Sequence, residues 1–215
     1  MTSSIRPPDE LANVLTHALG LLLSFLAAGS LMTSVADQPV GIKTGCGVYS
    51  VALVLVYGSS TLSHLFYDVN WRGRFRTLDQ ACIFLLIAGT YTPFAMVYMN
   101  RGEWWLLLAL MWLVALIGVW RVLLVRDLPR IDKVLYGVLG LLPVIVLPAL
   151  ARVAPAALIT WIVAGGACYL LGTIFLRLSP VVRYAHAVWH VMVIMGSACH
   201  YQAVVLAVAA DQVQG

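Results

Sequence analysis

The clearest chemistry in this sequence lies near its C-terminal end, in the run His186-Ala187-Val188-Trp189-His190. Two imidazoles four residues apart on a helix sit about 40° apart around its axis and one turn apart along it, so both can face one ion. The run continues through Val191, Met192, Val193, Ile194 and Met195, an apolar stretch suited to lipid rather than water. Histidine inside a membrane span is rare, costs solvation free energy and marks a functional site by default.

The elements that carry this pair follow from composition. Of 215 residues 62% are hydrophobic and 10% charged, against about 25% charged in an ordinary soluble domain. This is the balance of a polytopic membrane protein, and spans of about 20 residues each use almost the whole chain. The reading is therefore all-α, a single seven-transmembrane-helix domain over residues 1–215 with spans near 12–35, 45–67, 78–98, 104–125, 133–151, 156–177 and 186–209. Pro93 interrupts the third span, and Pro143 and Pro148 the fifth, where kinks are expected. Ser34-Val35-Ala36 resembles a signal-peptidase site, but the preceding apolar stretch is too long for a signal peptide, so it is read as a retained first span. Cys46, Cys82, Cys168 and Cys199 show no CxxC spacing and are read as small buried hydrophobes. The net charge of +4 is modest and spread through short loops, which argues against a nucleic-acid partner.

Lys and Arg set the expected orientation. With the N-terminus cytoplasmic, the inner segments hold Arg6, Arg72, Arg74, Arg76, Arg126, Arg130, Lys133, Arg177 and Arg183, and the outer ones only Lys43, Arg101 and Arg152. Arg121 falls inside a span. By the positive-inside rule the chain is N-in and C-out, in the inner or plasma membrane.

On that topology the intramembrane polar residues converge on one layer. His64 precedes Arg72 by about 12 Å of helix and His190 follows Arg183 by about 10 Å, with His186 one turn shallower. Asp79 opens the third span, and His17 lies on the inner side of the first. Ser60 and His64 are i, i+4, as are Asn13 and His17, while Glu10 stands one turn before Asn13, so each set shares a helical face. Three neutral imidazoles, His64, His186 and His190, leave a fourth coordination position open, the arrangement of a catalytic zinc. Asp79, shallower than the three, is placed to act through a water or to orient a ligand. Glu10, Asn13 and His17 either surround that centre or tie the first helix to the bundle. His200 lies about 15 Å beyond His190, too far to share its ion, and reads as a polar contact inside the bundle. Trp71, Trp104 and Trp105 read as interfacial anchors, and Trp189 as packing between the two ligands.

Ser60-x-x-x-His64, Asp79 at the head of the next span, and His186-x-x-x-His190 together resemble the signature of the progestin and adipoQ receptor family. Glu10-x-x-Asn13-x-x-x-His17 and Tyr91-Thr92-Pro93 point to its bacterial branch, hemolysin III. The resemblance covers nearly the whole chain. It implies seven helices with the N-terminus inside, zinc on His64, His186 and His190 near the inner leaflet, Asp79 on the zinc water and Ser60 close by. Related receptors are ceramidase-like.

The leading expectation is a zinc-dependent hydrolase of a lipid amide or ester, with membrane lipid as substrate, Asp79 as general base or water-positioner and Ser60 as donor to the developing oxyanion. The alternative is a hemolysin-type protein that alters bilayer permeability or lipid homeostasis without catalysis. A haem cytochrome is disfavoured, because paired histidines on one helix cannot ligate opposite faces of one haem.

Overall fold

A computed structural model describes residues 7–98, 102–125 and 129–214. Arg6, Arg101 and Arg126, counted above for orientation, lie outside the described residues, as do the side chains of Arg130 and Lys133. The described chain is helical and contains no strand: α1 (Pro7–Ser34), α2 (Val40–Leu65), α3 (Val69–Tyr98), α4 (Gly102–Leu124), α5 (Pro129–Leu141), a 3₁₀ turn (Leu142–Ile145), α6 (Leu147–Leu150), α7 (Ala156–Leu178) and α8 (Ala185–Gln214). Six of these, α1 to α4, α7 and α8, are long and apolar enough to cross a membrane.

The fifth expected span is different. Pro143 has no N–H to continue the helical ladder, so α5 stops at Leu141 and the apolar stretch 134–150 proceeds as a 3₁₀ turn and a single short helix. Pro93, by contrast, does not break α3, which runs unbroken from Val69 to Tyr98. The third helix also begins well before the expected residue 78. Asp68 Oδ1 accepts the backbone N–H of Asn70 and of Trp71, each at 3.0 Å, satisfying donors that an uncapped helix start leaves orphaned. The arginines read as loop charges therefore lie in the first turns of α3.

Neighbouring helices run antiparallel. Gly20 meets the Tyr57 ring across α1 and α2, and Gly45 meets Pro93 across α2 and α3. Trp112 Nε1 donates to Thr92 across α3 and α4, while Gly172 faces Trp189 and Gly165 faces His200 across α7 and α8. α1 and α8 run parallel, joined through Thr16 to His190 and Asp9 to Arg183. The end of α2 and the starts of α1, α3 and α8 thus gather at one end of the bundle. Arg72, Arg74, Arg76, Arg121, Arg177 and Arg183 belong to this end, and Lys43 and Arg152 to the other.

α1 shows how a membrane helix inverts the soluble pattern. Leu11, Leu15, Leu19, Leu22 and Leu26 share its exposed face, while Glu10, Asn13, His17 and Ser24 are buried, as expected where lipid rather than water surrounds the bundle. The far half of the core is apolar and closed, with Leu31, Val35, Ile42, Cys46, Leu158, Ala203, Val204 and Ala207 all buried. α3 packs on both sides, supplying Cys82, Leu86 and Phe94 to that core and Phe84, Ala88 and Tyr91 to a second one with Met111, Leu139 and Val146.

Candidate metal centre

Helical period brings the three histidines together. His64 sits in the last turn of α2, and His186 and His190 lie one turn apart at the start of α8. One nitrogen from each falls within 4.8 Å of the others. Ring centroids are 5.1 Å apart for His64 and His186, 5.1 Å for His64 and His190, and 4.5 Å for His186 and His190. His190 is 1% exposed and His64 8%, so neither faces bulk solvent.

α1 supplies the groups behind these rings. Glu10 Oε2 accepts a hydrogen bond from His64 Nδ1 at 2.9 Å, and Glu10 Oε1 accepts from the Arg72 guanidinium. A carboxylate accepts only, so the proton of His64 sits on Nδ1 and the Nε2 lone pair is free to point away from Glu10. Thr16 acts similarly on His190. Its hydroxyl donates back to the Ala12 and Asn13 carbonyls at 2.8 and 3.0 Å, leaving its oxygen to accept from His190 Nδ1 at 3.1 Å. Both histidines are thereby held in one tautomer by the partner of the other ring nitrogen.

Asp79, in the third turn of α3, accepts a hydrogen bond from Ser60 Oγ at 3.1 Å. The serine hydrogen is directed at the carboxylate in this arrangement, rather than toward the histidines. His17 packs against His190 with ring centroids 3.6 Å apart and meets Tyr57 edge-on at 5.4 Å. Asn13 contributes its backbone carbonyl to Thr16. At the rim, Arg183 donates to Asp9 Oδ1 at 3.2 Å and to the Tyr184 hydroxyl at 2.8 Å. Tyr184 has a φ of 60°, a left-handed conformation that a tyrosine adopts only when its surroundings hold it there. That turn sets the direction in which α8 leaves, two residues before His186.

His200 is not part of this centre. Its Nε2 donates to the Ile162 carbonyl at 3.2 Å and its ring lies tilted against Tyr169, with centroids 5.4 Å apart. One turn closer to the centre, Ser197 Oγ bonds the hydroxyls of Tyr57 and Tyr169, each at 2.9 Å. All four cysteines are free.

The donor set fits a divalent metal of the zinc type. Nitrogens on a common tetrahedral zinc lie about 3.4 Å apart, so the triad, with its nitrogens within 4.8 Å of one another, is somewhat wider than that spacing. Both ring nitrogens of His17 and Oδ1 of Asn13 are buried beside it without hydrogen-bond partners among the described residues. Buried polar atoms of this kind belong next to an ion and its hydration rather than in a dry core. Thr16, Arg72 and the Asp9–Arg183 pair escape a reading of sequence alone; the i, i+4 spacing from Ala12 marks Thr16 only as an ordinary back-bonded threonine.

A family model described as "Haemolysin-III related" matches residues 5–201. Hemolysin-3 of Bacillus cereus is 32% identical over 192 residues, covering 88% of this chain and 87% of that protein. The Hemolysin-3 homolog of Bacillus subtilis (strain 168) is 31% identical over 195 residues, covering 90% and 91%. The human Monocyte to macrophage differentiation factor is 25% identical over 209 residues, covering 91% and 83%.

Proposed function

The chain belongs to the haemolysin III family of multi-pass membrane proteins, and from that premise we propose that it is a zinc-dependent hydrolase acting on an amide or ester bond of a membrane lipid. The observation that carries this reading is the convergence of three imidazole nitrogens within 4.8 Å beside a Ser60–Asp79 pair. His64, His186 and His190 would hold the metal, leaving an open position. Zinc in such a site supplies Lewis acidity, polarising a carbonyl and acidifying water. The chain's own residues do the rest. Asp79 holds or accepts a proton as general base, Ser60 fixes its carboxylate, and the Glu10 and Thr16 contacts keep two imidazoles presenting lone pairs. A lipid substrate suits a centre below the membrane surface, where entry from the side is shorter than from bulk water.

Seven passes with the N-terminus inside are part of this reading. α4 ends at the histidine end of the bundle and α7 starts at the other, which supports a crossing by the broken segment 129–150. The arginines gathered at the histidine end agree with a cytoplasmic setting, and with the inner or plasma membrane as its location.

The experiment is acyl release from N-acyl lipids by purified protein. Release is expected from the wild type and is expected to be lost on chelation and in His190→Ala. Asp79→Asn is expected to keep its metal and lose at least about 100-fold in rate, the scale of a general base. Activity that survives in His190→Ala contradicts the proposal.

A second, non-catalytic reading rests on the name of the Bacillus relatives: a protein that changes bilayer permeability. The closed apolar half of the core weighs against a pore through the bundle. Lysis of cells by His190→Ala at the wild-type level would favour this second reading.

A further inference from the structure

The site face of α3 presents Arg72, Arg76 and Asp79 at successive turns, i, i+4 and i+7. Two of the three are engaged within the protein, Arg72 by Glu10 and Asp79 by Ser60. Across the site mouth the Arg183 guanidinium is likewise held by Asp9. Arg76, between the two engaged residues, is exposed and has no hydrogen-bond or ion-pair partner among the described residues. It lies within electrostatic range of both Asp79 and His186. Its neighbour Arg74 points elsewhere, with its guanidinium 5.1 Å from the Trp71 ring centroid.

With Arg72 and Arg183 paired to carboxylates of the chain, the exposed Arg76 guanidinium is the one beside Asp79 and His186 that is open to an anion from outside. Guanidinium matches the oxygens of a phosphate in a planar, two-pronged fashion. Its setting is a membrane boundary: Trp71, Phe75 and Phe66 form a stacked slab on the adjacent surface, with Phe66 and Phe75 centroids 5.2 Å apart. Trp71 is 50% exposed and Tyr67 85%, which suits aromatic rings at headgroup depth.

We infer that Arg76 binds the phosphodiester of an anionic phospholipid and so selects lipids of that class over uncharged ones for the metal centre. As a statement about substrate, this rests on the hydrolase reading above. As a statement about binding, it stands by itself. Arg76 then places the headgroup one helical turn outside Asp79, with the acyl linkage deeper in the bundle.

The test measures equilibrium binding to the full-length purified protein of an ether-linked phosphatidylglycerol, which has no acyl bond to cleave, beside an uncharged dialkylglycerol. The wild type is expected to prefer the anionic lipid. Arg76→Gln is expected to weaken that lipid about tenfold while leaving the uncharged one unchanged. Arg76→Lys is expected to recover part of the preference and Arg74→Gln to retain all of it. Raised salt is expected to reduce the preference in the wild type but not in Arg76→Gln. Equal selectivity in wild type and Arg76→Gln overturns the inference. So does displacement of the lipid by an equal concentration of glycerol phosphate, which would make a water-soluble phosphate the ligand. Arg76-dependent selectivity in a protein that releases no acyl chain from any lipid overturns the hydrolase reading alone. Acyl release with binding indifferent to Arg76 overturns this inference alone.

Discussion

Glu10 ties α1 to both α2 and α3 at the site, since one carboxylate accepts from His64 Nδ1 and is itself held by Arg72. Replacing it with glutamine keeps the size and removes the charge. A group behind a metal-binding histidine typically contributes about 10- to 100-fold to metal affinity, so Glu10→Gln is expected to release zinc to a competing chelator that much more readily while leaving the fold intact. Unchanged retention would show that Glu10 only anchors α1. The histidine triad itself is legible in the sequence, because a membrane span leaves few reasons for histidine and because four-residue spacing defines a face. The groups behind it are less legible. Thr16 looks like any helical threonine bonded to its own backbone, and nothing in the spacing of Arg72 and Glu10 reveals a contact across 62 positions of chain. Asn13 and His17 are visible as a polar face of α1, but the period does not say that the His17 ring packs against His190 or that the Asn13 carbonyl accepts from Thr16.

At the scale of elements, the rotation of α8 about its axis decides whether His186 and His190 face His64. Trp189, between the two ligands, packs on Gly172 of α7, where a Cβ would come within 2.7 Å of the indole. Gly172→Val is expected to displace the ring, turn α8 and lower stability by about 1–3 kcal/mol, the ordinary cost of overpacking. Thermal unfolding together with metal retention checks this. A variant with lowered stability but wild-type metal retention would show that α8 is held in register by other contacts, such as Thr16 with His190 and Asp9 with Arg183. Most helix positions follow from hydropathy alone. The differences are local: Asp68 caps α3 upstream of its apolar run, and Pro143 divides the fifth segment where hydropathy is continuous. Both depend on backbone hydrogen bonding, to which a hydropathy profile is blind.

For the whole molecule, polarity is concentrated at one end and the other end is sealed by aliphatic packing. That asymmetry suits chemistry at one membrane surface better than conduction through both. The proposed seven passes would put the termini on opposite sides of the membrane, so a tag at the N-terminus is expected to be protected in intact cells and one at the C-terminus accessible from outside. Tags with the same accessibility would mean that the segment broken at Pro143 does not cross. Whichever way the chain is threaded, the central claim is that His64, His186 and His190 hold one metal ion between α2 and α8. Elemental analysis of the purified protein beside His64→Ala tests it most directly. About one zinc per wild-type chain and little in the variant is the expected result; equal metal in both proteins, or none in the wild type, would overturn the metal centre.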